Sequence, residues 1–462
     1  MIPMPHFERP IGILGLARTG RAALAALLAA GNEVLVHDDR VSCGPTDAGA
    51  PLAPALEADR PLAGIVVSPG VPIEGARAHP LVRLARKRGV ALFGDLDLFA
   101  RARTGLATHL AIGITGTNGK STTSALLAHL LAAADRPVAL GGNIGVPICS
   151  LDPLGEGGVY VFELSSYQLA LSDPATRLDI GVVLNITPDH LERHGTMDAY
   201  LAAKARLLEM SAAAGGKAVV SLESEASRAL ARRFAGEHVV PVAVGSRAAG
   251  GVWTDEEGRL VDERFEAGRI VASLGGLERL RGDHNRENAA AAYATARLAG
   301  LDAEAAVSGL ATFPGLAHRQ EWLGTLGNVT FVNDSKATNI EAAARALAAF
   351  EGIHWLAGGR AKSLDVAAAE PFLGHVRAAW LFGECARELA ARLAERIPVR
   401  VFATLEEATR AAAAAAGPGE TVLLSPGAAS FDAYRDFEER GEDFRRTVKM
   451  LMNETLGREV AR

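Results

Sequence analysis

Apolar residues recur along the chain as short continuous runs, and alanine-rich stretches lie between these runs. The runs IGILG at 11–15, GIVVS at 64–68 and AIGIT at 111–115 are apolar on both faces, which is typical of parallel strands buried inside a sheet. The stretch after 111–115 places its leucines at helical spacing. This alternation predicts an α/β protein built from doubly wound sheets.

The pattern repeats in three blocks, and each block predicts a domain, because 462 residues exceed what one hydrophobic core accommodates. Residues 1–104 begin with a strand, a glycine turn and a helix, as in a Rossmann-like domain. Residues 105–314 contain a glycine-rich phosphate loop, and residues 315–462 form another Rossmann-like set. The stretch TFPGLAHRQEWLG, 312–324, predicts the linker between the second and third blocks.

The stretch GTNGKST, which begins at Gly116, joins a predicted strand to a predicted helix. Backbone N–H groups at a helix start point toward an anion, and Lys120 adds a positive charge for the outer phosphates of a nucleotide. The hydroxyl of Ser121 or Thr122 can hold Mg²⁺. The loop is tighter than G-x-x-x-x-G-K-[ST], because Gly116 lies only three residues before Gly119. The stretch predicts a nucleotide-phosphate site.

Polar side chains follow further strands of the second block. Asn143 lies in the loop of PVALGGNIGVP, Glu163 ends the strand of VYVFELSSYQL, and His190 follows the strand of DIGVVLNITPDH. The carboxyl ends of parallel strands meet at one edge of a sheet, so we expect these groups near the phosphate loop. Glu163 is then placed to hold Mg²⁺ directly or through water. Spacing alone indicates only a solvated surface group for Lys204 on the following helix.

The first block resembles a Rossmann start without its dinucleotide signature. Gly15 and Gly20 frame four residues and do not form G-x-G-x-x-G, which disfavours a dinucleotide site. The turn at Arg18 and Thr19 is still suited to a nucleotide diphosphate, and the loop 68–70 is placed to approach the same ligand. From 68–70 alone, an ordinary turn is the favoured interpretation.

The third block again has polar groups after several strands. Three loops on the carboxyl edge of one sheet favour a binding site over solvated turns. The groups concerned are Asp334, Lys336 and Thr338, then Lys362, then Ser430 with Phe431 and Phe437.

Composition narrows the class of protein. The net charge of −6 argues against a general nucleic-acid or membrane surface, so we expect small-molecule substrates. We also expect a monomer. Cys43, Cys149 and Cys385 are far apart and suggest neither a disulfide framework nor a cysteine metal site. No apolar run has the length of a spanning helix, and the first residues lack the pattern of a signal peptide. We therefore expect a cytoplasmic protein.

The motifs together carry a family resemblance. GTNGKST, ELSSYQL, NITPDHLERH, DHNRENAAAA, AHRQE, NDSKATN and LLSPGAASFDAYRDFEERG occur in the order found in the Mur ligases, so the chain resembles this family over essentially its whole length. The tail SPGAASFDAYRDFEERG and the start GLARTG are similar to the members that join D-glutamate to UDP-N-acetylmuramoyl-L-alanine. The resemblance implies a three-domain Mur ligase fold and ATP-dependent amide-bond formation through an acyl phosphate, with Mg²⁺, in cytoplasmic peptidoglycan precursor synthesis.

The resemblance also implies a role for each candidate residue. The residues implied for ATP are Gly116, Thr117, Asn118, Gly119, Lys120, Ser121, Thr122, Asn288, Arg319, Asp334 and Lys336. Those implied for magnesium are Ser121, Glu163, His190 and Lys204, with Lys204 carbamylated. Those implied for the UDP-sugar are Arg18, Thr19, Asp39, Arg40, Ser68, Gly70 and Asn143. Those implied for D-glutamate are Thr338, Lys362, Ser430, Phe431 and Phe437. Those implied for catalysis are Lys120, His190 and Lys204.

Three other functions share part of the pattern. A folylpolyglutamate-type ligase has the central motifs but not this tail. A nicotinamide oxidoreductase needs a G-x-G-x-x-G turn, which the chain lacks around Gly15 and Gly141. A non-catalytic nucleotide switch would hydrolyse ATP without any acceptor.

Overall fold

The computed structural model describes residues 1–40, 50–75, 77–361 and 365–460. The described chain divides into two compact units. Unit 1 comprises Met1–Gly276 and Asn285–Phe313, and unit 2 comprises Leu277–His284 and Pro314–Arg462. Unit 1 holds two sheets and unit 2 holds one.

The first sheet of unit 1 has, in its described part, five parallel strands in the order β3-β2-β1-β4-β5, which is a Rossmann-like order. Both β1 and β4 are buried along their whole length, as the continuous apolar runs predict. The strands are β1 Ile11–Leu14, β2 Val34–His37, β3 Ala50–Pro51, β4 Gly64–Val67 and β5 Leu92–Phe93. The helices are α1 Arg18–Ala29, α2 Leu52–Glu57, α3 Pro80–Lys87 and α4 Asp95–Ala102.

The second sheet of unit 1 has nine strands among the described residues, in the order β14-β13-β12-β11-β10-β9-β6-β8-β7. The strand before the phosphate loop, β6, lies between β8 and β9 and pairs with both in parallel. The strands are β6 His109–Thr115, β7 Val138–Gly142, β8 Gly158–Glu163, β9 Ile180–Val183, β10 Lys217–Ser221, β11 Val239–Val244, β12 Val252–Thr254, β13 Arg259–Asp262 and β14 Arg269–Ser273. The last three form an antiparallel extension.

Seven α-helices accompany the second sheet in the described chain. They are α5 Lys120–Ala133, α6 Ser166–Leu171, α7 Leu191–His194, α8 Met197–Ala213, α9 Glu225–Arg233, α10 Asp283–Leu298 and α11 Ala303–Thr312. Glycines in two strands let α8 approach the sheet closely. A Cβ at Gly113 would lie 2.6 Å from Cδ1 of Leu207, and one at Gly181 would lie 2.6 Å from the hydroxyl of Ser211. The sheet face under α8 therefore requires residues without side chains.

Outside residues 362–364 and 461–462, the sheet of unit 2 has six strands in the order β15-β16-β20-β17-β18-β19, and all neighbours there are parallel except β15 with β16. The strands are β15 Glu321–Leu326, β16 Val329–Asn333, β17 Ile353–Gly358, β18 Val376–Phe382, β19 Val399–Val401 and β20 Thr421–Leu424. The helices are α12 Ile340–Ala349, α13 Ala386–Leu393, α14 Leu405–Ala415 and α15 Phe437–Val460. Short 3-10 helices span Arg103–Gly105, Ile148–Ser150, Glu278–Leu280 and Glu370–His375.

The structure confirms the α/β class and the doubly wound sheets, and it corrects one element. The predicted linker 312–324 extends too far, because Glu321–Leu326 forms strand β15 at the sheet edge. Its residues alternate in exposure and so lack the continuous apolar run that marks a central strand. None of the described helices is both long and apolar enough to cross a membrane. Cys149 and Cys385 are buried, and Cys43 lies outside the described residues.

Candidate functional site

The phosphate loop lies between β6 and α5. Gly119 has a φ of 83°, and a Cβ there would lie 2.2 Å from Oδ1 of Asn288, so the loop needs glycine at this position. Lys120 Nζ donates hydrogen bonds to the carbonyls of Gly116 at 3.0 Å and Thr117 at 2.8 Å. The lysine charge therefore lies over the loop, and together with the N-terminus of α5 it forms an anion-binding cradle.

Side chains from other elements hold this loop in shape. The amide of Asn118 donates to Oδ1 of Asn185 at 3.2 Å, and Nδ2 of Asn185 donates to Glu287 at 2.9 Å. The hydroxyl of Thr123 donates to Oδ1 of Asn288 at 3.1 Å. Asn288, which the resemblance places at ATP, thus contacts the first turn of α5.

Glu163 ends β8 beside the phosphate loop, and it is only 2% exposed. In the parallel pairing of β6 with β8, Ile114 lies opposite Glu163. Oε1 accepts a hydrogen bond from Nδ2 of Asn143 at 2.6 Å, whereas the buried Oε2 has no hydrogen-bond partner among the described residues. A buried carboxylate oxygen without a donor is costly unless a cation binds it. Glu163 therefore fits a metal ligand.

Lys204 lies on α8 and is 1% exposed, so it is not the solvated surface lysine that spacing predicts. Its Nζ donates to the carbonyl of Gly116 at 2.8 Å and lies 4.6 Å from the centre of the Tyr200 ring. Burial lowers the pKa of Lys204 well below its usual value, and the charge of Lys120 lowers it further. Lys204 is thus a buried amine at the phosphate loop.

His190 immediately precedes α7 and has a left-handed backbone with a φ of 54°. Its ring centre lies 5.1 Å from that of Tyr167 and 6.5 Å from that of Tyr200. Because Lys204 contacts the same Tyr200 ring, the structure brings His190 and Lys204 to one region of the sheet edge. The His190 side chain is 45% exposed and is accessible to a ligand there.

The first sheet gathers the residues predicted for the nucleotide-sugar other than Asn143, which lies beside Glu163 at the second sheet. The hydroxyl of Ser68, which follows β4, donates to the carbonyl of Gly15, which follows β1, at 2.6 Å. Arg18 and Thr19 form the start of α1 just beyond Gly15. All of these residues therefore lie at the carboxyl edge, where open α/β sheets bind ligands.

Asp38 fixes the end of the neighbouring strand β2. Its carboxylate accepts hydrogen bonds from the amide of Leu16 at 2.6 Å and from the amide of Arg40 at 2.8 Å. Asp39 and Arg40 are thereby placed at the same edge as the turn after β1.

Asp39 lies between two histidines that come from different elements. Nε2 of His79 lies 3.1 Å from Oδ2 of Asp39, and Nε2 of His37 lies 3.1 Å from Oδ1. These hydrogen bonds, first that of His79 and then that of His37, lower the pKa of Asp39. The three groups are close enough to surround a cation. However, Nδ1 of His79 accepts from the amide of Leu81 at 3.1 Å, so the ring carries its proton on Nε2 and donates to Asp39. That tautomer does not ligate a metal through Nε2.

Arg193 joins the loop after β4 to the segment that contains His190. Its guanidinium donates to the carbonyls of Gly70, at 2.9 Å, and Val71, and it lies 4.3 Å from the centre of the Tyr167 ring. A cavity of about 300 Å³ lies beside it, lined by residues of α6 and α7 together with Pro72, Ile73, Glu74 and Arg77. The loop of the predicted contact Gly70 therefore borders a cavity within unit 1.

In unit 2, Asp334 follows β16 and accepts from the hydroxyl of Ser425 at 2.8 Å. Burial raises the pKa of Asp334 to about 7, although the charge of Arg319 opposes the rise. Lys336 Nζ lies 3.8 Å from the centre of the Phe437 ring. The structure thus brings Asp334 near Arg319, and Lys336 near an aromatic wall predicted for the amino acid.

The other residues predicted for D-glutamate lie in loops after β16 and β20. Thr338 donates its amide to the carbonyl of Lys336 at 2.8 Å, and the buried Ser430 accepts from the amide of Tyr434 at 2.9 Å. Phe431 is 64% exposed, which is unusual for a phenylalanine and leaves its ring accessible to a ligand. Lys362 lies outside the described residues.

Comparison with known proteins identifies the family. A family model described as the Mur ligase middle domain matches residues 114–296, and one described as the Mur ligase glutamate ligase domain matches residues 318–427. The UDP-N-acetylmuramoylalanine--D-glutamate ligase of Phenylobacterium zucineum is 43% identical over 98% of both chains. The protein of the same name from Caulobacter vibrioides is 41% identical, again over 98% of both chains. The chain belongs to the Mur ligase family.

Solved structures share the Mur ligase fold. A UDP-N-acetylmuramate-alanine ligase from Thermotoga maritima aligns with a TM-score of 0.60 at 16% identity, covering 96% of this chain and 100% of that one. A pseudomurein peptide ligase type C from Methanothermus fervidus aligns with a TM-score of 0.56 at 16% identity. These alignments agree with the three α/β sheets of this Mur ligase.

The structure of this Mur ligase also reveals contacts that sequence reasoning missed. Glu287 anchors Asn185 behind the phosphate loop, and Arg193 holds the loop of Gly70. Arg440 is fully buried at the edge of the third sheet. All three lie inside motifs that carry the family resemblance, yet their neighbours come from distant parts of the chain, so spacing gave no signal for their contacts.

Proposed function

We propose that this Mur ligase joins D-glutamate to UDP-N-acetylmuramoyl-L-alanine, with ATP as the source of energy, in the synthesis of a peptidoglycan precursor. The proposal rests on the match to D-glutamate ligases over 98% of both chains. The buried carboxylate and lysines around the phosphate loop support it, because they match the chemistry of an ATP-dependent ligase.

The first step joins two anions that repel each other. The carboxylate of the acceptor attacks the γ-phosphate of ATP, the bond to ADP breaks, and an acyl phosphate forms. Lys120 lies over the phosphate loop and neutralises charge on the phosphates, and the amides at the start of α5 orient them. By family resemblance, Arg319, Asp334, Lys336 and Asn288 are further ATP contacts.

Mg²⁺ would be held by Ser121, Glu163, His190 and Lys204. The fit rests on Glu163, whose buried Oε2 has no donor among the described residues. The ion supplies charge neutralisation of the phosphate oxygens when it is bound. Lys204 fits this donor set only after its amine has been converted to an oxygen donor, because an ammonium repels a cation.

Carbamylation makes that conversion. The neutral amine of Lys204 attacks carbon dioxide, an N–C bond forms, and the amine loses a proton to leave a carbamate anion. Burial lowers the pKa of Lys204 and so favours the neutral amine that this reaction needs. A carbamate offers two oxygen atoms in place of one ammonium.

In the second step the neutral amine of D-glutamate attacks the carbonyl carbon of the acyl phosphate, and the tetrahedral intermediate expels phosphate. We assign Thr338, Lys362 and Ser430 to the two carboxylates of D-glutamate, with Phe431 and Phe437 as apolar walls. Fixed donors discriminate strongly, because a ligand of the wrong shape leaves them unpaired.

We assign the nucleotide-sugar to residues 1–104, ATP to residues 105–314 and D-glutamate to residues 315–462. Arg18, Thr19, Asp39, Arg40, Ser68, Gly70 and Asn143 are the proposed contacts of the nucleotide-sugar. The substrates are small molecules, and we propose that a cytoplasmic monomer carries out the reaction.

Phosphate release from ATP tests the proposal. The assay contains ATP, magnesium, UDP-N-acetylmuramoyl-L-alanine and D-glutamate, and the acceptor and the amino acid are omitted in turn. We expect full turnover only with both present. Turnover without either substrate would indicate a nucleotide switch, and turnover with a folate in place of the nucleotide-sugar would indicate a folylpolyglutamate-type ligase.

A further inference from the structure

Arg440 is a fully buried arginine in the first turn of α15, with 0% exposure. Its Nε donates to the hydroxyl of Ser335 at 3.0 Å and its Nη2 to the carbonyl of Ser335 at 2.8 Å. Its Nη1 donates to the carbonyls of Ala428 at 3.0 Å and Gly358 at 3.4 Å. One guanidinium therefore contacts three separate loops.

These three loops are the ones that carry the residues proposed for D-glutamate. Ser335 follows β16 and precedes Thr338, and Ala428 follows β20 and precedes Ser430. Gly358 ends β17, the strand before Lys362. Arg440 itself is three residues after Phe437, whose carbonyl accepts a hydrogen bond from the hydroxyl of Ser335 at 2.8 Å. The described parts of these loops are thus connected to this side chain or to its direct partner.

The charge of Arg440 is not explained by an ion pair. No carboxylate among the described residues forms a salt bridge with it, and its hydrogen bonds go to three carbonyls and one hydroxyl. Burial lowers its pKa, but only to about 10, so the guanidinium stays charged at neutral pH. Burying a charge without a direct ion-pair partner is costly, and the nearby charges of Asp432 and Asp334 offset that cost only in part, because the net effect still lowers the pKa of Arg440. A role in stability alone therefore gives little reason for an arginine here. The hydrogen bonds do give a reason, because a planar guanidinium carries several N–H donors and can reach acceptors that lie in different directions.

We propose that Arg440 is a positioning residue for the amino-acid substrate, which sets the relative positions of the three loops that hold D-glutamate. The proposal rests on the function proposed above. A lysine keeps the charge but offers a single nitrogen, which cannot reach the same set of acceptors. Displacing catalytic or binding groups by about 1 Å can cost about a hundredfold in rate, so the loss of this connection has a measurable effect on use of the amino acid.

The test measures steady-state ligation with Arg440→Lys, with Ser335→Ala, and with Arg446→Lys as the matched control. Arg446 lies on the same helix, but its side chain is 66% exposed and pairs only with Asp443 among the contacts described for it. Each variant is assayed against all three substrates. Ser335→Ala removes one acceptor of Arg440 and is the milder change, so it remains informative where Arg440→Lys does not fold.

We expect the KM for D-glutamate to rise about ten- to a hundredfold in Arg440→Lys and about three- to tenfold in Ser335→Ala. The KM for the nucleotide-sugar stays within about twofold, because its proposed residues all lie in unit 1. Arg446→Lys behaves as the wild type. A purely structural role gives a different pattern, in which kcat falls with the active fraction and the KM for D-glutamate is unchanged.

An unchanged KM for D-glutamate in folded Arg440→Lys, or in Ser335→Ala if the first variant does not fold, overturns the proposal. Equal increases in the KM for D-glutamate and for the nucleotide-sugar overturn it as well. Failure of the function proposed above is distinguishable, because then the wild type itself does not ligate D-glutamate. The wild-type reaction is therefore measured first.

Discussion

Lys204 and Lys120 both place their amines at the carbonyl of Gly116, at 2.8 Å and 3.0 Å. Two ammonium groups in one place repel each other, and the buried one loses its proton more readily. At the scale of residues, the same loop thus holds one lysine placed for phosphate and one buried amine whose charged form is disfavoured. The difference follows from burial, since Lys204 is 1% exposed and Lys120 is only partly buried.

Lys120→Ala should abolish ATP turnover and leave the fold intact, because a lysine of a surface loop contributes little to stability but much to charge neutralisation in the transition state. The measurement is phosphate release together with thermal melting. Lys217→Ala, which removes an exposed lysine of the same unit, serves as the control. Activity within about tenfold of wild type, with unchanged melting, would contradict the assignment of the phosphate loop.

Lys204 should carry a carbamate in the active enzyme. Protein equilibrated with ¹³C-labelled bicarbonate should show a carbamate carbon signal by NMR, and Lys204→Arg should lack it, because a guanidinium does not form this adduct at neutral pH. Lys204→Ala should be nearly inactive and partly restored by acetate or another short carboxylate. No labelled signal in active wild type, or a magnesium ion seen in contact with unmodified lysine, would end this hypothesis.

Lys362→Ala should raise the D-glutamate requirement about ten- to a hundredfold, because one charge-assisted contact contributes about 1.5 to 3 kcal/mol. ATP affinity should hardly change, and L-glutamate and D-alanine should be poor substrates for the wild type. Ligation of each amino acid is measured in both proteins, with the exposed Arg387→Ala as the control. Equal use of L- and D-glutamate, or a defect confined to ATP, would show that the loop serves another substrate.

At the scale of elements, helices α4 and α6 meet through a buried carboxylate. Asp95 in α4 is 2% exposed, and both of its oxygens accept from Nε2 of Gln168 in α6 at 3.2 Å. Gln168 also completes the N-terminal cap of α6 with Ser165. The helix that carries part of the cavity wall is therefore held by a titratable group.

Burial raises the pKa of Asp95 to about 6, whereas an aspartate in an unfolded chain has a pKa of about 3.9. The folded state then binds the proton more tightly, so this contribution to stability is present below about pH 4 and is lost as the pH rises to about 6. Asp95→Asn does not titrate. The wild type loses free energy of unfolding over this pH range, whereas the variant does not. We therefore expect the free energy of unfolding of the variant, relative to that of the wild type, to rise by about 2 to 3 kcal/mol from pH 4 to pH 7.

Thermal melting of both proteins across that range measures the change. Any fixed effect of the new amide group is the same at each pH and cancels in the comparison. Asp152→Asn, at an aspartate whose side chain is 87% exposed, is the control. Parallel melting curves for Asp95→Asn and wild type would refute this account of the helix contact.

Strands that are buried on both faces are predicted correctly from the sequence, because burial alone determines their pattern of apolar residues. The buried strands β1, β4 and β6 are apolar on both faces, and the sequence pattern identifies them directly. The edge strand β15 alternates in exposure and follows Pro314 and Gly315, so it was predicted as linker. Burial of Lys204 depends on the close approach of α8 to Gly113 and Gly181, which no local spacing reveals.

At the scale of the whole molecule, the order of motifs predicts the family and the three α/β sheets, because most of the motifs sit at the carboxyl end of a strand. The motifs do not predict the hydrogen-bond partners of the site residues. Glu287 reaches Asn185, Arg440 reaches Ser335, and both pairs are separated by about a hundred residues. Such contacts are set by how the sheets bring distant segments together, so the sequence without a structure could not supply them.

The contact between Gly119 and Asn288 has a consequence for inhibitor resistance. Every single amino-acid change at Gly119 adds a Cβ, which would meet Oδ1 of Asn288 at 2.2 Å on a backbone with a φ of 83°. Replacing Asn288 removes or displaces the acceptor of Thr123 in the first turn of α5, except in Asn288→Asp, which keeps the oxygen but adds a negative charge beside the anion-binding loop. Neither residue can therefore change alone without disturbing the phosphate loop. An inhibitor that depends on this pair would face a target for which one mutation offers no escape that keeps the enzyme working.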